Sequence, residues 1–397
     1  MNPDPDSPLR VLLVTEPGTG GVFRHVEGLA AYMRGKGHRV DLAYSARRGS
    51  PDLIRLCGEL VAAGSDVLDL DLSNWPAPSD VRALARLQAL VWRRRPDVIH
   101  AHSSKAGALV RLLPWTGRAQ LFYTPHAYYG LRPGTHWQGR FYNRLERHLG
   151  RRGTTINVSE SEAGFAATVL RIPARARVTV PNGVPTDRFR PPTPAERAAA
   201  RSALGLPAEG LILSCVGRLC FQKDPETLYR GLSWALAEGV DVHLLHVGHG
   251  TPSPEIRALK GGALRGRVTH RETLDPRVAY HAGDGLIVTS RYEGLSLVVL
   301  EAMACGLPLL LSDVPGNDDI IRHRPSHAHV FPAGDVAAVA EAIVRWSREA
   351  GRAANNHREI ASRHFDQARS CQLIEHVYRH GPEEARVPLT ESLPLPA

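Results

Sequence analysis

The chain of 397 residues is 43% hydrophobic and 22% charged, the profile of a globular protein with room for two domains, each with its own core. Its net charge of +9 favours an anionic partner, but no run interleaves basic and aromatic residues as a nucleic-acid module does, so no nucleic-acid partner is expected. No apolar stretch reaches the length of a membrane span, the opening MNPDPDSPLR carries no signal-peptide core, and five scattered cysteines without a C-x-x-C pair fit reduced thiols, so the expected setting is the cytoplasm.

In chain order, RVLLVTE (10–16) reads as a buried parallel strand that ends in the turn PGTGG, followed by a helix over 22–37 and the strand HRVDLAYS (38–45). Strand, glycine turn, helix and strand form a βαβ unit, and the sheet it belongs to is expected to be parallel. The alternation continues with a helix over 79–94, a strand over 97–102, a helix from Ser104 and a strand over 120–126. A basic helix (136–151), the strand TTINVSE and a helix over 160–170 close this half. Residues 181–207, PNGVPTDRFRPPTPAERAAARSALGLP, are rich in proline and polar residues and read as a linker. Beyond it, strands are expected at 211–217, 242–248, 267–270, 285–290 and 308–313, with helices over 224–237, 275–282, 296–305, 334–349, 355–365 and 369–379. The proline-rich residues 382–397 read as a flexible tail. The expected fold class is α/β, with two Rossmann-like domains (1–190 and 191–370) and a helix over 371–381 returning to the first.

Three segments carry chemistry. Gly18, Gly20 and Gly21 stand at a strand–helix turn, where glycine lets a ligand approach the backbone and the helix N-terminus favours an anion. The spacing is not G-x-G-x-x-G and no acidic residue closes the next strand, which disfavours a nicotinamide-dependent dehydrogenase. In VGRLCFQKDPETL (216–228), Arg218 and Lys223 fall at the carboxyl edge of the second sheet, and an arginine fork beside a lysine point charge suits a diphosphate. Of the 49 basic residues only four are lysine, a skew that reflects coding bias and makes each retained lysine more informative. In SRYEGLSLVVLEAMACGLPLLLSD (290–313), Glu293 and Glu301 stand in apolar, small-residue surroundings, with Ser296 placed to cap a helix starting at Leu297. The amides of Gly294, Leu295, Ser296 and Leu297 would meet an anion, while the two carboxylates suit sugar hydroxyls.

Among the histidines, His126 follows a strand at the carboxyl edge of the first sheet, a place for catalysis or sugar binding. His100 and His102 form H-x-H, and with no third ligand at metal spacing they are read as structural or substrate contacts, with no metal site. His246 and His249 flank the glycine turn HVGHG. The D-x-D at 69–71 lies in an ordinary connection and carries little weight. HWQGRFYNRLERHLGRR (136–152) mixes arginine with Trp137, Phe141 and Tyr142, which fits an anionic membrane face, an acceptor groove or a plain amphipathic helix.

Taken together, TGGVFRHVEGLAAYMRGKGHRV, PDVIHAHSSKAGAL, YTPHAYYGL, VPNGVPTDRF, VGRLCFQKDPETL and the E-x7-E block resemble the GT4 family of retaining glycosyltransferases, over nearly the whole chain. The resemblance implies a GT-B fold with two domains facing across a cleft and hexosyl or N-acetylhexosaminyl transfer from a nucleotide sugar, expected to be a UDP-sugar. Arg218 and Lys223 would then hold the donor diphosphate, Glu301 the ribose, Glu293 the transferred sugar, and Gly20 and Gly21 would approach the diphosphate. His126 would sit beside the reacting sugar. His102, Lys105 and Tyr128 would line the acceptor site. No cofactor or metal is implied, because Arg and Lys replace the cation. His249 stands where many relatives have an acid, and Asp318–Asp319 where glutamate is commoner.

The implied acceptor is a carbohydrate, a lipid-linked glycan or a natural product, with peripheral membrane contact in the lipid-linked case. A nucleotide-sugar epimerase on the same fold and a non-catalytic nucleotide binder are the competing readings. Nothing in the sequence sets the oligomeric state.

Overall fold

The computed structural model describes residues 7–73, 76–134, 137–349 and 355–384. The expected tail from residue 385 onward, and His136 at the start of the expected basic helix, lie outside these residues. The described residues divide into two compact units: those within 7–130, 134–183 and 367–384 form one, and those within 131–133 and 184–366 the other.

The amino-terminal unit runs β1 (Arg10–Thr15), α1 (Gly20–Gly35), β2 (Arg39–Tyr44), α2 (Pro51–Ala62), β3 (Val67–Asp69), α3 (Ser79–Arg94) and β4 (Val98–His102). It continues with α4 (Ser104–Leu112), β5 (Gln120–Thr124), α5 (Trp137–Leu149), β6 (Thr154–Asn157), α6 (Glu160–Thr168) and β7 (Arg177–Thr179). The seven strands form one parallel sheet in the order β3-β2-β1-β4-β5-β6-β7, with Val11 opposite Val40 on one side and Val98 on the other. β1 and β4 are buried along nearly their whole length, which is why both read as unbroken apolar runs rather than alternating ones.

The second unit holds α7 (Pro194–Leu204), β8 (Leu211–Val216), α8 (Pro225–Ala237), β9 (Val242–Val247), α9 (Pro254–Gly261), β10 (Val268–Arg271) and α10 (Pro276–Ala282). β11 (Gly285–Val288), α11 (Leu297–Ala304), β12 (Leu309–Asp313), α12 (Asn317–Ile321), β13 (Ala328–Pro332), α13 (Val336–Glu349) and α14 (His357–His364) complete it. Its six parallel strands are ordered β10-β9-β8-β11-β12-β13. Each sheet therefore reverses its winding once, between β1 and β4 and between β8 and β11, and at such a switch point the connecting loops part to leave a crevice at the carboxyl ends of the strands.

The final helix, α15 (Gln367–Glu384, interrupted at Gly381), belongs to the amino-terminal unit. Its Ile374, Val377 and Tyr378 join the core formed by β1, β2 and α1. Glu375 accepts hydrogen bonds from Tyr32 (3.2 Å) and pairs with His38 (3.0 Å). His38, followed by Arg379, holds the Glu375 carboxyl down at about 2.

The boundaries fall between Gly183 and Val184 and between Asp366 and Gln367, not at the expected 190 and 370. The two crossings are tied together: the Val184 amide donates to the Phe365 carbonyl (2.8 Å), and Thr186 donates to the Asp366 carboxylate (2.8 Å). The expected linker over 181–207 is not irregular throughout, because α7 lies inside it. Thr193 and Glu196 form a reciprocal capping box, Pro194 opens the first turn and Gly205 closes the last with φ +64°. Strands β3, β7 and β13 and helices α2, α9 and α12 also went unread. Among the described residues no helix is long and apolar enough to cross a membrane.

Candidate functional site

The switch point of the second unit gathers the residues that sequence reading singled out there. β8 ends at Val216, and Gly217 and the exposed Arg218 follow it directly. β11 ends at Val288 and leads through Thr289–Tyr292 to Glu293. The two loops are stitched together by hydrogen bonds. The Thr289 hydroxyl is shared between the carbonyls of Lys223 (3.0 Å) and Asp224 (3.1 Å), the Arg291 amide donates to the Gln222 carbonyl (2.8 Å), and the Gln222 side chain donates to the Tyr292 carbonyl (3.2 Å).

This stitching brings Lys223 onto Glu293. The ammonium lies 2.5 Å from Glu293 Oε1, and the Ser290 hydroxyl donates to the same oxygen at 2.6 Å. Glu293 is only 6% exposed, and these two donors meet its buried carboxylate. Asp224, in the left-handed region at φ +46°, is buried and accepts from Thr227 (2.8 Å) and Arg291 (2.9 Å). A strained residue held from two sides immediately after Lys223 fixes where the lysine stem leaves the backbone.

The floor of the crevice needs two glycines. A Cβ on Gly248 would lie 1.9 Å from the Gly217 carbonyl oxygen, so only glycine lets the turn after β9 press against the turn after β8. The His246 imidazole donates from Nε2 to that same carbonyl (3.0 Å) and accepts from the Tyr229 hydroxyl at Nδ1 (3.1 Å). Burial pushes this imidazole down to about 4, so it is neutral. Gly316, at φ +91°, would clash through a Cβ with the Gly294 carbonyl at 2.4 Å. His249 is exposed at the rim.

α11 starts at Leu297 with Ser296 at its N-cap position, but the expected capping bond is absent: the Ser296 side chain makes no hydrogen bond to the helix amides. The first-turn amides are therefore not capped by their own serine, and α11 carries no acidic residue in that turn. Such an end attracts an anion. Glu301 is 3% exposed and accepts from the Tyr280 hydroxyl at 2.8 Å. It is deeper than a carboxylate that simply lines a surface. Ser290, Tyr280 and Gly316 were missed in the sequence, although S-x-x-E at 290–293 was a readable local signal.

The amino-terminal unit presents a second group at its own switch point. Gly20, at φ +71°, opens α1, and Gly20 and Gly21 are exposed. His25, His102 and His126 converge, one ring nitrogen of each lying within 4.8 Å of one from each of the others. The sequence paired His102 with His100 and found no third partner; the fold supplies two, from α1 and from the loop after β5. His100 is instead used up structurally, between the Tyr378 hydroxyl (2.6 Å) and the Thr124 hydroxyl (2.8 Å). Desolvation, followed by neighbouring imidazoles, holds His102 and His126 well below the usual histidine range.

The residues expected to line an acceptor site fare differently. Tyr128 is fully buried and gives its hydroxyl to Asn157 (3.2 Å), so it is a core residue and not a surface contact. Lys105 is pinned to Asp80 (2.8 Å) and the Ser73 carbonyl (2.8 Å). The D-x-D is likewise occupied, since Asp71 pairs with Arg47 at 2.5 Å.

Residues 20–183 match the family model described as a glycosyl transferase 4-like domain, and residues 210–349 match that of glycosyl transferases group 1. The chain is 28% identical over 341 residues to a D-inositol 3-phosphate glycosyltransferase of Thermobispora bispora, spanning 78% of both chains. It is 28% identical over 178 residues to a GDP-mannose-dependent monoacylated alpha-(1-6)-phosphatidylinositol monomannoside mannosyltransferase of Corynebacterium glutamicum, a match covering 42% of this chain and 45% of that one. The solved structure of Anabaena Alr3699/HepE in complex with UDP and glucose superposes with a TM-score of 0.76 at 20% identity, over 93% of this chain and 99% of that one. That likeness is one of fold.

Proposed function

Since the chain belongs to the GT4-type glycosyltransferases with the GT-B fold of two Rossmann-like domains, we propose that it moves a hexosyl or N-acetylhexosaminyl group from a nucleotide sugar, a UDP-sugar, to an acceptor hydroxyl with retention at the anomeric carbon. The observation that carries this reading is the stitched crevice between β8 and β11. It holds Arg218, Lys223 and the uncapped start of α11 for a diphosphate, beside a carboxylate for sugar hydroxyls. Glu293 keeps Lys223 in place until the donor arrives, and then has hydroxyls to accept from. Glu301 is assigned to the ribose.

The proposed chemistry needs no protein nucleophile. The bond between the anomeric carbon and the β-phosphate oxygen breaks, and the acceptor oxygen bonds the same carbon on the same face. The acceptor proton passes to the departing phosphate. Charge on that phosphate is met by Arg218 and Lys223, so electrostatic stabilisation of the leaving group is the main catalytic effect and no metal is required there.

A thermal-shift screen of UDP-, GDP-, ADP- and dTDP-sugars tests the donor, since a specific ligand stabilises the chain by mass action. Stabilisation by a GDP-sugar alone would overturn the UDP assignment. Release of nucleoside diphosphate that needs an acceptor separates transfer from epimerisation.

A membrane-presented acceptor is the favoured class. On α5, Trp137 (73% exposed), Arg140, Phe141 (59% exposed) and Arg144 follow one another at helical spacing, whereas Glu146 and Leu149 are buried. Exposed aromatics among arginines suit an anionic lipid surface. Binding to anionic vesicles that persists unchanged at high salt, or never occurs, would remove the support for this acceptor class.

A further inference from the structure

The histidine cluster of the amino-terminal unit goes beyond the proposed transfer reaction. We infer that His25, His102 and His126 form a binding site for a divalent transition metal, with zinc the best match. Three imidazoles from α1, β4 and the β5–α5 loop put one nitrogen each within 4.8 Å of the others. Around zinc, with bonds of about 2.0–2.1 Å, tetrahedral ligand atoms stand about 3.3 Å apart. His102 Nδ1 and His126 Nε2 are already at 3.2 Å. Closing the remaining pairs from at most 4.8 Å takes side-chain movements of about 1.5 Å or less.

Four observations separate this cluster from an ordinary buried histidine group. Nε2 of His25 is buried with no hydrogen-bond partner among the described residues, as is the neighbouring Ser103 hydroxyl. A buried polar atom left without a partner is costly, and in a native fold it calls for an occupant. The neighbour His100 is excluded as a ligand because both of its nitrogens are engaged, but its ring lies tilted against His102 with centroids 4.0 Å apart. The backbone is also strained at the cluster: Ser103, His126 and Ala127 all have positive φ, at 87°, 52° and 83°. The last two are held there by buried Glu162, whose carboxylate accepts the amides of Ala127 (2.7 Å) and Val158 (2.8 Å).

His126 is partly exposed, so the site is open to solvent on one side. Three imidazole ligands leave zinc a fourth position, which takes water or a hydroxyl group.

The test is metal content, independent of any transfer assay. The full chain is loaded with zinc, dialysed against metal-free buffer and analysed by plasma mass spectrometry. One zinc per chain is expected, and cobalt(II) in its place should give the intense visible bands of a four-coordinate site. His126→Gln, at a partly exposed position, and His25→Gln should each weaken zinc binding about 100-fold while leaving far-UV circular dichroism unchanged. The paired variant His376→Ala/His380→Ala, which removes two neighbouring histidines of α15 with ring centroids 4.5 Å apart, should leave it untouched. Zinc lost on dialysis, zinc retained in His126→Gln, or zinc that follows the α15 pair would each overturn the site. Metal bound in this way by a chain that transfers no sugar would leave this inference standing and defeat the functional one.

Discussion

Lys223→Ala is the perturbation that most directly probes the crevice. Lys223 is 20% exposed at its side chain and Glu293 7%, and the ammonium supplies one of two donors to a single carboxylate oxygen. Removing it leaves a buried carboxylate held by the Ser290 hydroxyl alone. Breaking a buried pair costs about 3–5 kcal/mol, and the partial exposure of the lysine places this one at the lower end, about 3 kcal/mol. Glu293→Gln keeps the shape and strands a charge that water can still reach, for about 1–2 kcal/mol. Combined, the two changes remove both charges, so the double variant should be less destabilised than the sum by about 1.5–2 kcal/mol. Native-state hydrogen exchange on peptides spanning β8 and β11 reads this locally, which matters in a chain of two units that need not unfold together. The same Lys223→Ala variant should lose about 10²–10³-fold in turnover, the cost of one preorganised leaving-group contact. Additivity within about 0.5 kcal/mol, or transfer within a few-fold of the parent, would refute the pairing argument.

Three further outcomes are expected. Arg111→Ala should destabilise the amino-terminal unit by about 3 kcal/mol in urea denaturation, because it leaves buried Glu146 with the Tyr123 hydroxyl but no cation and removes a guanidinium 4.0 Å over the Tyr123 ring. Gly248→Ala should weaken nucleotide-sugar binding by at least about tenfold in calorimetry, because its Cβ drives the Gly217–Arg218 turn away. Stability of the second unit should fall as pH drops from 6.5 towards 4. His246 titrates near 6.5 when unfolded and at about 4 when buried, so the unfolded chain binds more protons in that window. The loss from His246 reaches up to about 3 kcal/mol, and His246→Gln should reduce the slope by that share in denaturation series at pH 7.5 and 4.5, while His243, His281, His323, His329 and His357, also held below the usual histidine range by burial, keep the rest.

The parallel sheets were legible because largely buried strands such as RVLLVT and VHLLHV announce themselves as apolar runs between turns. Short edge strands did not: β3, β7 and β13 are three to five residues long and only partly buried, too brief for any periodicity to show. α7 hid behind prolines, although its Thr-Pro-Ala-Glu start was a complete capping signal. Lys223 and Glu293 could be chosen individually because each was anomalous in its surroundings, but their contact depends on a loop crossing that no local pattern encodes. The histidines show the limit most clearly. His100 and His102 look equivalent on one strand, and only α15, almost 280 residues later, decides that one is bonded through Tyr378 and the other is left for His25 and His126.

That late contribution has a consequence for how the protein is made. The amino-terminal sheet is laid down by residue 183, but α15, which covers it, begins at 367. At synthesis rates of about 5–20 residues per second, the ribosome needs roughly 10–40 s to deliver that cover. Through this interval the faces of β1 and α1 that will meet Ile374, Val377 and Tyr378 remain bare, while the second unit, apart from residues 131–133, emerges as the single stretch 184–366. A nascent chain stalled between the two should therefore attract chaperones to its first half and not to its second. A permutant that joins α15 ahead of β1 should shed that dependence.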